Sequence, residues 1–362
     1  MSASTPQGRE FPPPAGQLRP FHFPPVHREG LSNGMELLVA ESHHLPVISF
    51  GLLLRAGGIH EDAARAGVAV LAGDLLDTGA AGRSGMELAT AMEDIGALHD
   101  VTTSWDSTYL GLTTLRSQFE PGVAILADLA LRPDFPEEEV ARLREERLAA
   151  IAQRRASPGG LAGEVVMRSI FSPDSPFSRP LAGDPETVRG LMRADVSAFH
   201  AARYTPAGAA AVVAGDMAPG EAVELAERYF GGWSGAPAHF ISPAVVARHP
   251  KSRLLLVDRP GSVQAEIRAG HIGIARGSDD YFSTLVMNQI LGGAFASRLN
   301  LNLREKHGFT YGASSTFIPH RDPGPFLIST AVQSDAAAPA VREILAEVEA
   351  IRAGGATPAE LD

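Results

Sequence analysis

The sequence predicts an α/β fold, in the α+β sense, made of two homologous domains of which the second is the shorter. Three observations carry this. Hydrophobic residues make up 44% of the 362 and charged residues 20%, the balance of a packed chain long enough for two domains. One order of β-rich and helical runs occurs twice. A Pro/Gly/Ala-rich stretch, "SGAPAHFISPAVVARHP" (234–250), separates the two occurrences as a linker.

The elements follow in order. Residues 1–25, "MSASTPQGREFPPPAGQLRPFHFPP", are rich in proline and polar side chains. They read as a flexible arm and lack the apolar core of a signal peptide. The first domain, 26–233, opens with "MELLVAESHHLPVISFGLLLRAGG" (35–58), two β-rich runs about a turn. Helical runs at 66–76 and 84–96 come next, the second stopping at Gly96. Alternation over 98–115 predicts two more strands, and a helix is expected over 119–131. A long charged helix, "DFPEEEVARLREERLAAIAQRRASPGG", further helices and a buried-looking strand, "AGAAAVVAGD" (207–216), complete the domain.

The second domain, 251–362, repeats the layout. Two β runs about a Pro-Gly turn are expected over 252–277, and helices over 280–291 and 297–308. Strands over 309–332 and a helix over 336–353 come after them. Thr357, Pro358 and Glu360 form a helix start, with an N-cap, a proline at the first helical position and an acid at the third. The second domain is therefore expected to be incomplete at Asp362.

The bulk composition excludes several functions. A formal net charge of −11 lacks the basic footprint that nucleic acid requires. Without cysteine there are no disulfides, no thiol catalysis and no thiolate-bound metal. No run approaches the ~18 apolar residues of a membrane span, and a cytoplasmic location is the expectation.

Four stretches occur in a telling order: "LSNGMELLVAESHHLPVISFGLLLRAGG", "GALHDVTTSWDSTYLGL", "YTPAGAAAVVAGD" and "SRLNLNLREKHGFTYGASS". Together they resemble the pitrilysin/insulinase (inverzincin) metallopeptidase family, from about Leu31 to the end. The resemblance implies that each domain is a largely antiparallel sheet with helices packed on it. It also implies that two such domain pairs close around a peptide.

The family's zinc motif is H-x-x-E-H on one helix. Histidines four apart share a helical face and reach one zinc, and the glutamate takes a proton from the zinc-bound water. Laid on this sequence, the motif falls on Val70, Gly73 and Asp74 within "GVAVLAGDLLDTG". The third ligand falls at or near Ala150, with Glu146 one turn earlier. Val70 and Ala150 offer no lone pair, Gly73 offers no base, and one carboxylate does not make a zinc site that wants about three protein ligands. His60-Glu61 begins like H-E-x-x-H, but position 64 is alanine; His43-His44 sits in a turn. Asp62, Asp74 and Asp77 read as solvated carboxylates. No metal or cofactor is expected in this chain.

"LREKHGFTY" places Arg304 and Tyr311 seven residues apart, the spacing of the family's second catalytic element. The resemblance implies that they bind the scissile carbonyl and stabilise the oxyanion. A fixed cation and a phenol suit that task. The first half has Met92 and His99 at the matching places. In some bacterial members one chain carries the zinc motif and the other the Arg/Tyr pair. The resemblance thus implies a non-zinc-binding subunit, inactive as a peptidase alone. Its expected partners are a zinc-bearing homologous subunit and a peptide substrate. The peptide is expected as an added strand along "DVTTSWDSTYLGL", where Asp100-Val101 replaces the family's frequent Asn-Ala. The alternatives are an assembly subunit and a peptide-binding protein, each without a catalytic share.

Overall fold

Alternating and β-branched runs form strands where a sheet neighbour is within reach. The structure, a computed structural model, describes residues 16, 20, 22–236 and 241–361. The arm expected over 1–25 lies almost wholly outside these residues, as does part of the linker. The first half contains β1 (Val26–Gly30), β2 (Glu36–Glu41), β3 (Val47–Leu54), α1 (Val68–Asp74) and the short hairpin β4 (Gly79–Ala80) with β5 (Arg83–Ser84). It continues with α2 (Gly85–Asp94), β6 (Leu98–Thr103), β7 (Thr108–Leu115) and α3 (Phe119–Leu131). Helices α4 (Glu137–Ala156), α5 (Pro158–Ile170), α6 (Pro185–Arg189) and α7 (Arg193–Arg203) precede β8 (Ala210–Gly215) and α8 (Pro219–Phe230).

These strands form one sheet in the order β1-β2-β8-β3-β7-β6. Every pair is antiparallel except β2 with β8. Period-two alternation sends Leu37, Val39, Ile48, Phe50, Leu52, Leu110, Leu112 and Val213 to a buried face. There Phe50 stacks on Phe230 of α8 at 5.8 Å and lies 6.3 Å from Phe119 of α3. Leu53, Tyr109 and Val212 on the other face stay partly open, as an antiparallel sheet allows. The helix expected over 84–96 starts where Ser84 and Glu87 form a reciprocal cap.

The second half contains β9 (Gln264–Ile272), α9 (Tyr281–Asn288), α10 (Arg298–Asn300), β10 (Ala313–Phe317), β11 (Pro325–Gln333), α11 (Ala337–Gly354) and α12 (Pro358–Leu361). Two wide π-helical stretches, Gln289–Gly293 and Leu301–Lys306, extend α9 and α10. The sheet is antiparallel, in the order β10-β11-β9. Phe326, Ile328 and Val332 of β11 pack with Ala340 and Ile344 of α11. Leu327 points the other way, into a small core with Ile170 and Phe171.

One expectation for this half meets a physical limit. The run over 252–277 yields only β9; residues 254–257 form no strand, and their side chains are exposed. The matching β2 of the first half is held between β1 and β8, and no strand among the described residues of the second half takes the place of β8. Likewise α1 is buried against α7, whereas the matching α9 leaves Phe282, Leu285 and Val286 exposed.

The halves are joined by a core of their own. Helix α5 lies on β9, and Ile59, Ile170, Phe171 and Phe177 pack with Trp105, Ile272 and Leu327. His320 stacks on Phe177 at 4.7 Å and lies edge-on to Trp105 at 6.4 Å. The Arg321 N–H donates to Asp106 at 2.9 Å.

Candidate functional site

Helix α1 holds the zinc-motif positions, and its surroundings do not fit a metal. Val70 is half-buried and Gly73 fully buried, while Asp74 is turned to the surface. A Cβ on Gly73 would lie 2.3 Å from the Thr103 hydroxyl oxygen of β6. That hydroxyl stands where a side chain at position 73 would begin, so any larger residue there requires Thr103 to turn. Asp74, at the second histidine position, pairs with the Arg147 guanidinium of α4. The Arg147 side chain is only 10% exposed. Burial pushes the Asp74 carboxyl up and Arg147 opposes the shift. Ala150 is exposed one turn further along α4, and Glu146 is taken by Arg142 at 3.2 Å. Among the described residues, no three His, Asp or Glu side chains converge as a metal site.

The other acids and histidines are used in folding. The Glu61 carboxylate, 1% exposed, accepts the Gly67 and Ala69 N–H groups at the start of α1 and lies 3.6 Å from Arg179. Burial pushes it up to about 7 against those donors. Burial also lowers His60 to about 4, which keeps the ring neutral. His43 is clamped between Asp216 at 2.5 Å and Glu41 at 2.6 Å, and these hydrogen bonds raise its pKa. Asp77 lies 3.8 Å from His99 and raises that ring too. Asp62 caps Ala64.

Glu61 gives a pH prediction. A carboxyl raised in the folded state binds protons that the unfolded chain has released, so stability falls as pH rises from about 4.5 to about 7. The slope near the middle of that window is on the order of 1 kcal/mol per pH unit. Urea melts at pH 5, 6 and 7 should show it, and Glu61→Gln should flatten it. An unchanged slope in the variant would assign the effect to other groups.

Arg304 and Tyr311 flank the turn that ends the second π-helical stretch. The Gly308 N–H returns to the Arg304 carbonyl at 3.0 Å and the Phe309 N–H to Leu303 at 2.8 Å. Arg304 is one-third exposed, with Glu305 at 3.5 Å. Its guanidinium lies over the Phe295 ring, 4.4 Å from the centroid. Tyr311 is 93% exposed, yet its backbone is fixed on both sides. The Thr310 hydroxyl accepts from Thr330 at 3.0 Å and from the Gly312 N–H at 3.0 Å. The Ala313 N–H donates to the Asn300 side chain at 2.9 Å. A phenol on a pinned turn and a guanidinium on a helix end are both open to a ligand. At the matching places of the first half, Met92 is buried in the core and His99 faces Asp77.

Sequence reasoning missed Thr103, Arg147, Phe295 and Asn300. Arg147 had a signal, since it stands one turn before Ala150 on the same helix face. Phe295 had none, because its loop reaches Arg304 only through the fold.

Residues 37–181 match the insulinase family (peptidase family M16), and residues 190–362 match the peptidase M16 inactive domain. A Mycobacterium leprae protein named as an uncharacterized zinc protease is 28% identical over 344 residues, 92% of this chain and 75% of its own length. A Mycobacterium tuberculosis protein of similar name is 26% identical over 352 residues, 96% and 78% of the two lengths. Among solved structures, a peptidase M16 inactive domain from Pseudomonas fluorescens superposes with a TM-score of 0.87 at 28% identity, covering 93% of this chain and 82% of that one. A protease from Helicobacter pylori shares the fold, with a TM-score of 0.84 at 21% identity and coverage of 94% and 83%. The chain belongs to the insulinase (pitrilysin) family of peptidases.

Proposed function

We infer that this chain is the non-zinc-binding half of a two-chain peptidase, lending Arg304 and Tyr311 to a peptide carbonyl held at a homologous subunit's zinc. The observation that carries this is the Tyr311 phenol, exposed on a pinned turn one short loop from Arg304. A phenol carried on a fixed turn and left open to solvent is available to a partner outside the chain. Zinc in the partner supplies the activated water. Arg304 orients the carbonyl, and Tyr311 donates to its oxygen as negative charge grows there. The residues divide as arm 1–25, first domain 26–233, linker 234–250 and second domain 251–362. Strand β6 is the outer strand of its sheet and offers its free edge to a peptide by strand addition.

The test mixes the purified chain with a zinc-bearing homologue encoded in the same genome. Co-elution on size exclusion is expected. Hydrolysis of a quenched peptide should appear only in the mixture and vanish with chelator. The reading fails if the chain alone hydrolyses peptide with one bound zinc. It also fails if the homologue co-elutes and its rate is unchanged by this chain; an assembly or peptide-binding role would then stand.

A further inference from the structure

Three side chains of the second half hang from one buried amide. Asn300, 8% exposed, donates to the Ala294 carbonyl at 3.2 Å, and its oxygen accepts the Ala313 N–H at 2.9 Å. Ala294 precedes Phe295 in the chain, and Ala313 follows Tyr311 by two residues. The amide therefore staples the loop of Phe295 to the turn of Tyr311, with Arg304 on the helical stretch between them. Loop 294–297 is fixed further by the Ser297 N–H donating to Ala294 at 3.1 Å. Just before it, a Cβ on Gly292 would meet the Ser315 backbone nitrogen at 2.5 Å, so this end of the loop lies tight on β10. Phe295 is nonetheless 73% exposed. The ring carries the Arg304 guanidinium. Leu301, one turn before Arg304, is exposed as well.

We propose that Phe295 positions Arg304 and selects the substrate: its ring holds the guanidinium and offers the rest of its surface to an aliphatic or aromatic side chain beside the scissile carbonyl. This rests on the reading that Arg304 acts on that carbonyl. An aromatic ring attracts a cation through its negative face, so Phe295 adds a second hold on a guanidinium that otherwise has only Glu305, at 3.5 Å, among the described residues. The same ring, with Leu301, is apolar surface on a rigid support. A peptide side chain that covers it gains by leaving water, and a lysine there loses hydration beside the like charge of Arg304. The preferred substrates are peptides with Leu, Met or Phe at that residue, and Gly or Lys is disfavoured.

The experiment uses the full chain in complex with its zinc-bearing homologue and two quenched peptides differing only in Leu or Gly at that residue. Phe295→Ala should lower kcat/KM for the Leu peptide about 10- to 100-fold. For the Gly peptide, which loses only the guanidinium support, the fall should be about 3-fold. Phe295→Trp should keep the preference. In the chain alone, the Arg304 side-chain N–H should show an upfield ring-current shift by NMR that Phe295→Leu removes. Equal falls on both peptides, or an unshifted Arg304, would overturn the proposal. If Arg304→Ala slows turnover while Phe295→Ala keeps the preference, this inference alone is wrong. If Arg304→Ala leaves the rate unchanged, the two-chain reading falls and the inference falls with it.

Discussion

Replacing Tyr311 by phenylalanine is expected to slow the two-chain peptidase about 100-fold, and replacing Arg304 by alanine to slow it about 100- to 1000-fold. Tyr311→Phe removes one hydroxyl from a side chain that is 93% exposed, so neither folding nor assembly should change. In the proposed role the phenol meets charge that appears as the tetrahedral intermediate forms. Its loss should then lower kcat with little change in KM. In the same role Arg304 also holds the uncharged carbonyl, so its removal should raise KM too. Val70→Ala, on α1 of the first half, serves as the control and should run at the wild-type rate. Steady-state kinetics at saturating partner decides the matter. A Tyr311→Phe complex as fast as wild type would remove this chain from the chemistry.

Rebuilding the zinc motif is expected to fail. The four substitutions Val70→His, Gly73→Glu, Asp74→His and Ala150→Glu supply every ligand and the base, yet two features of the fold oppose them. The new Cβ at position 73 would meet the Thr103 hydroxyl at 2.3 Å. Relieving such overpacking costs about 1–3 kcal/mol. Losing the Asp74 carboxylate leaves the buried Arg147 guanidinium without its anion, which costs about 1–3 kcal/mol more. That guanidinium would also face the incoming dication. The four-fold variant should melt earlier and hold no stoichiometric zinc after dialysis. Adding Thr103→Ala and Arg147→Leu removes both obstacles, and zinc should then be measurable by mass spectrometry. One zinc per chain in the four-fold variant would show that neither obstacle matters.

These residues mark what could be read from the chain. The helix over 119–131 forms over those residues because its apolar side chains make a stripe that β7 and α8 cover. The Ser84 cap and the Thr357 helix start also form, since their chemistry is local. The absence of zinc ligands was legible because Val70, Gly73 and Ala150 lack the necessary atoms. What replaced them was not, since Arg147 and Thr103 lie 73 and 30 residues from the positions they affect. The first of the two β runs expected over 252–277 has the right composition, but a strand exists only where a neighbour accepts its hydrogen bonds. Arg304 and Tyr311 were singled out through the family resemblance, while the amide that ties their neighbouring segments together was visible only after folding.

The core between the halves decides which movements are cheap. Phe171 and Phe177 are wholly buried there, and each such ring stabilises the joint by about 1.5–3 kcal/mol. With Trp105 and His320 packed around Phe177 and Arg321 tied to Asp106, swinging one half away from the other would expose several rings at once. Among the described residues, the two halves thus move as one stiff plate. In the proposed two-chain peptidase, the gap that admits a polypeptide would open along the seam with the partner, and throughput would be governed by how often that seam parts.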